Sequence, residues 1–338
     1  MLSFVIMFMR QPESEILQEV FLEEKMQEKL SKTSMVILLA MFCCFLWGSA
    51  FPCIKIGYKM FEIAGRDVAA QILFAGIRFS LAGMMVIIVF SIINHQVLKP
   101  SNPDKIIVLS IFQTILQYVP FYIGLAHTTG VKSSIITGSG TFLTILVSCL
   151  IFKQEKLTGK KLFGSILGFA GVIIVNVVGV SVDFHLSFMG EGFILIAALS
   201  SAFSSAFIKQ FSKTADVVML SGYQFFTGGI VMVVIGAGMG GSLHIASCQS
   251  VLLLFYMGFI SAAAYTVWSI LLKYNNVSKV SACKFMNPVF GVLLSFAFLH
   301  ESSQMGIQTF VALLLVCAGI YIVNAGEQSI QRKGFKKR

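Results

Sequence analysis

The stretch Met35–Ile56, MVILLAMFCCFLWGSAFPCIKI, decides the fold class, because it carries no charged residue before Lys55. A helix of about 20 apolar residues is long enough to cross the hydrocarbon core of a lipid bilayer. This segment therefore predicts a membrane-spanning helix near the beginning of the chain.

Nine further apolar segments of similar length follow. They lie at Gln71–Ile93, Ile106–Ala126, Ser133–Phe152, Leu162–Val180, Gly192–Ile208, Val217–Met239, Val251–Leu272, Val280–Leu299 and Gly306–Val323. Of the 338 residues, 57% are hydrophobic and only 12% are charged, too few charges for the surface of a soluble domain. The sequence thus predicts an all-α integral membrane protein with ten transmembrane helices.

The distribution of Lys and Arg predicts which ends of these helices face the cytoplasm. With both termini inside, the inner segments hold 19 basic residues and the outer segments hold four. Short cytoplasmic loops carry an excess of Lys and Arg, so this split favours that orientation. We interpret the net charge of +10 as topology rather than as a nucleic-acid-binding surface, and we expect a multi-pass protein of the plasma membrane.

The ten segments divide into two groups of five with a shared pattern of landmarks. A shift of about 146 residues superposes Gly76 on Gly222, Phe79 on Phe225, Gly83 on Gly229, Val131 on Val277, Phe152 on Phe298 and Glu155 on Glu301. Because five is odd, the second group would enter the bilayer inverted, as in many secondary transporters. We predict a leader at 1–34, amphipathic or disordered, a first domain at 35–180, a second at 190–324 and a basic cytoplasmic tail at 325–338.

Several short motifs carry a family resemblance over about Met35–Val323. They are Trp47-Gly48-Ser49-Ala50-Phe51, Arg78-Phe79, Tyr122-Ile123-Gly124-Leu125-Ala126, Glu155-Lys156-Leu157, Ala170-Gly171, Asn287-Pro288-Val289, Glu301 and Ala318-Gly319. In these the chain resembles EamA-type members of the drug/metabolite transporter superfamily. The resemblance implies ten spans in two inverted EamA domains.

Acidic and metal-binding side chains are scarce inside the predicted spans. All 15 Asp and Glu residues lie in loops, in the leader or at span ends, and the seven cysteines lack the spacing of metal ligands. Acid–base or metal chemistry needs such groups within the site, so we predict no enzyme activity and no cofactor.

Polar, aromatic and helix-interrupting residues inside the spans are the candidates for function, since polar groups are costly there. The candidate substrate-binding residues are Trp47, Arg78, Tyr118, Tyr122, Gln224, Tyr265, Trp268, Lys284 and Asn287. The candidate helix breaks are Pro52, Pro120 and Pro288. Structural alternatives are snorkelling of Arg78 toward the membrane surface, a structural role for Lys284 near the inner end of its span, and interfacial anchoring of the aromatic residues.

These features together predict a secondary transporter that exports a small metabolite, such as an amino acid, by alternating access between the two halves. The alternatives are a flippase for a lipid-linked substrate and a membrane scaffold without transport. The expected partners are the substrate and the lipid bilayer, with no nucleic acid, and the expected assembly is a monomer or a homodimer.

Overall fold

The protein is all-helical in a computed structural model that describes residues 24–128, 130–177, 187–244, 247–299 and 307–335. The first five helices after the leader are α1 (Thr33–Met60), α2 (Val68–Ile93), α3 (Pro103–His127), α4 (Gly130–Leu146) and α5 (Gly159–Val177). They are followed by α6 (Phe188–Phe211), α7 (Val217–Gly238), α8 (Cys248–Tyr274), α9 (Val277–Ser281), α10 (Met286–Leu299) and α11 (Ile307–Phe335). The predicted fold class is confirmed in its helical character.

Within the described residues, six helices are both long and apolar enough to cross a membrane, namely α1, α2, α3, α6, α7 and α8. Shorter apolar stretches lie at Ile135–Ile151 and Phe310–Ala325, in α4 and its continuation and in α11. Helix α3 contains a π-helical turn at Ser110–Ile115, and α4 continues into another at Val147–Ile151. The number of ten crossings stays a prediction.

The predicted ninth span is not one continuous α-helix. A 3-10 turn, Ala282–Phe285, separates α9 from α10. Pro288 stands just after this turn and has no N–H to donate to the carbonyl of Lys284, so this one hydrogen bond of an α-helix is absent. The span predicted over Val280–Leu299 is therefore helical throughout, with a 3-10 turn next to the helix break predicted at Pro288.

The two chain ends differ from their predicted boundaries. Residues 24–31 of the predicted leader are helical, and the carbonyl oxygens of Leu30 and Ser31 accept hydrogen bonds from Asn275 Nδ2 at 2.9 Å and Lys279 Nζ at 2.8 Å. Residues 1–23 and 336–338 lie outside the described part of the chain. Helix α11 continues through the predicted tail boundary at 325 as far as Phe335.

Equivalent helices of the two halves make equivalent packing contacts. Helix α1 packs on α8 and α10. Its equivalent in the second half is α6, and α6 packs on α3 and α4, which are the equivalents of α8 and α10 in the first half. The central pair α2 and α7 and the outer pair α5 and α11 each consist of two equivalent helices in contact. An inverted duplication predicts this arrangement, with the equivalent pairs lying on the pseudo-twofold axis.

Glycine allows the α2–α7 pair to approach closely. A Cβ atom on Gly83 would lie 2.3 Å from the backbone nitrogen of Phe226, and one on Gly229 would lie 2.4 Å from that of Ser80. Gly83 and Gly229 are equivalent in the repeat, so the same close contact occurs on both sides of the axis. Small residues permit such backbone contact between membrane helices.

Candidate functional site

Arg78 on α2 lies in the interior of the helix bundle and not at its surface. Its side chain is 4% exposed, and its Nε donates to the carbonyl oxygen of Met257 at 3.3 Å and to Ser261 Oγ at 3.1 Å. Its guanidinium also lies 5.2 Å from the ring centroid of Phe79. Because these contacts hold Arg78 against α8, snorkelling toward the surface is excluded in this structure.

Four tyrosines belong to the same hydrophobic cluster as Phe79, whose ring lies next to the Arg78 guanidinium. They are Tyr58, Tyr118, Tyr122 and Tyr265. The hydroxyls of Tyr118 and Tyr265 are hydrogen-bonded to each other, and Gln117 Nε2 donates to the Tyr265 hydroxyl at 3.4 Å. In a buried environment such polar groups interact more strongly than in water.

Trp47 on α1 lies between two aromatic residues of α8. Its ring centroid is 5.0 Å from that of Tyr265 and 5.0 Å from that of Trp268. The indole Nε1 atoms of Trp47 and Trp268 are buried and have no hydrogen-bond partner among the described residues. Buried N–H groups are rarely left without an acceptor, so both are candidate donors to a bound ligand.

Lys284 lies in the 3-10 turn between α9 and α10. Its Nζ is 5.3 Å from the ring centroid of Trp268, so the turn brings this cation to the aromatic cluster formed with α8. Three residues later, the Asn287 side chain keeps a buried Oδ1 atom without a donor in the described part of the chain. The 3-10 turn thus holds the Lys284 cation beside Trp268.

Gln224 on α7 is fully buried and bonds to α3. Its Oε1 accepts a hydrogen bond from Thr114 Oγ1 at 2.7 Å, whereas its Nε2 has no partner among the described residues. The next residue, Phe225, packs its ring 5.4 Å from Phe79 and 4.8 Å from Tyr265. Gln224 therefore contacts α3, whereas its neighbour Phe225 contacts the aromatic cluster.

Of the three predicted helix breaks, only the one at Pro288 is found. Helix α1 continues through Pro52 and α3 continues through Pro120. A proline removes one hydrogen bond, but the flanking turns of a long membrane helix retain theirs and neighbouring groups satisfy the freed carbonyl. The prediction of helix breaks at Pro52 and Pro120 is wrong.

Three residues of this region are not among the substrate-binding residues predicted from the sequence, namely Tyr58, Gln117 and Ser261. Tyr58 stands 11 residues after Trp47, which is about three helical turns, so both share one face of α1. Ser261 stands four residues before Tyr265 on α8. These spacings were a usable signal, whereas the position of Gln117 beside Tyr118 carried none.

No described carboxylate neutralises the two cations of this site. The two buried glutamates are paired elsewhere, Glu155 with Lys161 at 2.5 Å and Glu191 with Lys132 at 3.3 Å. Within the described residues, no group of three His, Cys, Asp or Glu side chains is arranged to hold a metal ion. The site thus offers cationic and neutral donors, which suit a ligand that carries acceptor groups.

Comparisons with known proteins agree with a transporter. The chain is 26% identical to the uncharacterized transporter YvbV of Bacillus subtilis, over 88% of this chain and 93% of that protein. It is 29% identical to the WAT1-related protein At3g02690, chloroplastic, of Arabidopsis thaliana, over 60% of this chain and 50% of that protein. An uncharacterized transporter of Archaeoglobus fulgidus is 25% identical over 85% of this chain and 97% of its own length.

A solved crystal structure shares the fold. It superposes with a TM-score of 0.71 at 14% identity and covers 88% of this chain and 99% of its own. The sequence profile of the EamA-like transporter family matches residues 34–177 and again residues 188–325. The chain is therefore a multi-pass membrane protein that belongs to the EamA-like transporter family.

Proposed function

We propose that this protein is a secondary transporter that exports a small metabolite with an anionic group, such as the carboxylate of an amino acid. The transported molecule binds between the two halves, which open alternately to each side of the membrane. The observation that carries the proposal is Arg78, a buried cation that bonds to α8 beside the Phe79 ring and has no described carboxylate as its partner.

An arginine in this environment is suited to bind an anion. Its Nε donates hydrogen bonds to Ser261 Oγ and to the carbonyl oxygen of Met257, and these bonds orient the planar guanidinium. The Arg78 side chain makes no other hydrogen bond to a described residue. Its remaining N–H groups are therefore available for a carboxylate. Charge-assisted hydrogen bonds of this kind are about twice as strong as neutral ones.

The proposal includes a topology. The chain would cross the plasma membrane ten times as two inverted domains, 35–180 and 190–324, with both termini in the cytoplasm. The positive-inside distribution supports this orientation, and the symmetric packing of α1 and α6 supports the inverted halves.

The proposal is tested by uptake into proteoliposomes, with a panel of labelled amino acids and carboxylic acids under an imposed substrate gradient. Arg78→Gln is expected to reduce uptake of every accepted anion at least tenfold while the yield of folded protein is unchanged. Arg66→Gln is the matched control, because Arg66 is an exposed arginine in the loop between α1 and α2. Equal loss of uptake and folded yield in Arg78→Gln would assign Arg78 to the structure instead.

A further inference from the structure

Helix α8 presents four residues of the site on one face. They are Met257, Ser261, Tyr265 and Trp268, spaced by four, four and three residues, which repeats the turn of an α-helix. Arg78 contacts this face at Met257 and Ser261, and Lys284 contacts it at Trp268. The two cations of the site therefore lie at different heights along the same helix.

Their separation follows from the geometry of the helix. Ser261 and Trp268 are seven residues apart, and an α-helix rises 1.5 Å per residue, so the two contact points are roughly 10 Å apart along α8. Between them stand the rings of Tyr265 and Trp47, whose centroids are 5.0 Å apart. The site thus consists of two cationic ends joined by an aromatic surface.

The end at Lys284 lacks protein partners for its donors. Lys284 makes no ion pair with a described carboxylate, and Trp268 Nε1, on a side chain only 2% exposed, is buried without an acceptor. Buried donors of this kind are normally satisfied, so this end is built to receive an acceptor.

We propose that the substrate is an elongated molecule with two acceptor groups, one an anion bound by Arg78 and the other bound by Lys284 and the Trp268 indole N–H. The inference rests on the proposed transport function and names its substrate class. A dicarboxylate, or another molecule with acceptor groups at both ends, fits this arrangement. An ammonium group at the second end would instead face the like charge of Lys284, which disfavours it.

A series of dicarboxylates tests the inference on the purified full-length protein in detergent. The probes are succinate, glutarate, adipate, suberate and sebacate, each compared with its own monoamide, which has the same length and one charge fewer. Thermal stabilisation reports binding, because a ligand of the folded state raises the melting temperature by mass action. We expect the diacid to bind at least tenfold more tightly than its monoamide, with an optimum at an intermediate length.

Two variants of Lys284 separate its charge from its packing. In Lys284→Gln the diacid and its monoamide should bind equally well, while binding of the monoamide is retained through Arg78. Lys284→Arg keeps the positive charge and should keep the preference for the diacid, which also controls for loss of folding in the first variant.

The outcomes distinguish this inference from the proposed function. Equal binding of diacid and monoamide by the native protein, together with loss of both in Arg78→Gln, would overturn the two-ended substrate and leave anion transport standing. A diacid preference that persists in Lys284→Gln would equally overturn it. Absence of any Arg78-dependent binding of these anions or of the amino acids in the uptake panel would overturn the proposed function itself.

Discussion

Single side chains in this protein show how a buried polar group signals a ligand. The indole of Trp47 packs against Tyr265 and Trp268, and these contacts bury its apolar surface. Its N–H nevertheless has no acceptor among the described residues. An unmet donor reduces stability unless something else accepts its hydrogen bond. If Trp47 contributed to packing alone, phenylalanine could fill this position equally well.

We predict that Trp47→Phe changes stability by no more than about 1 kcal/mol, because the loss of ring volume is offset by removal of the unmet donor. Transport should nevertheless need about fivefold more substrate for half-maximal rate, since one hydrogen bond to the ligand is lost. Thermal unfolding and uptake kinetics in proteoliposomes measure the two effects. A large fall in melting temperature with unchanged substrate dependence would identify Trp47 as a packing residue only.

Glu155 is a second informative residue, located in the loop between α4 and α5. Burial acts to raise the pKa of this carboxyl, but the ion pair with Lys161 and hydrogen bonds from Ser278 outweigh it and lower the pKa below its ordinary value of 4.5. Both side chains of the pair are nearly inaccessible, at 2% for Lys161 and 4% for Glu155. A carboxylate with a lowered pKa stabilises the folded state at neutral pH.

We predict that Glu155→Gln destabilises the protein at pH 7 by about 3 kcal/mol, because it removes the carboxylate charge that faces the buried Lys161 ammonium. As the pH falls from 4.5 through the lowered pKa, the native carboxylate becomes protonated and its stabilising contribution is lost. The difference in melting temperature between native protein and variant should therefore narrow below pH 4.5. A difference independent of pH would mean that the ion pair contributes nothing.

At the scale of the elements, the crossing of α2 and α7 is the most demanding contact in the bundle. Here the two equivalent helices approach until backbone touches backbone, as the positions of Gly83 and Gly229 require. Neighbouring backbone atoms cannot move aside as the end of a flexible side chain can. The crossing therefore tolerates no added side-chain atom without displacement of one helix.

We predict that Gly83→Ala destabilises the protein by about 2 kcal/mol through overpacking of this crossing. Gly238→Ala is the matched control, because a Cβ atom on this exposed glycine of α7 meets nothing within 4 Å. The control should be neutral, or more stable by up to about 1 kcal/mol, since alanine restricts the unfolded chain. Thermal unfolding of both variants in detergent gives the comparison, and equal melting temperatures would contradict the close approach.

The turn between α9 and α10 is the element that the candidate site depends on most. Pro288 removes the hydrogen bond to the carbonyl of Lys284, and Lys284, in the preceding 3-10 turn, lies next to the Trp268 ring. The corresponding part of the first half, in α4, carries no proline, and its helix is continuous from Gly130 to Leu146. The two halves therefore match in packing and differ in the polar groups that they bring to the centre.

At the scale of the whole molecule, the two halves are tied together at both ends of the bundle. At one end Glu155 accepts a hydrogen bond from the backbone N–H of Ser278 at 2.8 Å. At the other end Thr128 Oγ1 donates to Glu191 Oε1 at 2.5 Å. Each contact joins a loop of the first half to a segment of the second half, so the alternating access that we propose would require each of them to open in turn.

We predict that locking either end stops transport. The pairs Glu155→Cys with Ser278→Cys and Thr128→Cys with Glu191→Cys, made with exposed Cys248 and Cys317 changed to serine, would be joined by a short thiol-specific cross-linker. Uptake should cease after treatment of either double variant and continue after treatment of each single variant. Continued uptake by a fully cross-linked double variant would contradict movement at that end.

The amino-acid sequence alone is sufficient for the fold class, for the approximate position of most helices and for most residues of the site. Long apolar segments separated by short charged loops are compatible with few structures other than membrane-spanning helices, because a backbone inside a bilayer must satisfy its own hydrogen bonds. The same reasoning located Arg78, Tyr118, Tyr265 and Trp268 as polar or aromatic groups inside helices.

Only the tertiary structure decides which of these groups meet. Arg78 reaches Ser261 and Glu155 reaches Ser278 across more than a hundred residues of chain, and a local pattern carries no information on such pairs. Helix α8 has only a weak apolar periodicity, so the distribution of its apolar residues does not by itself identify the face that contacts Arg78. The turn that brings Lys284 to Trp268 likewise depends on how α9 and α10 pack.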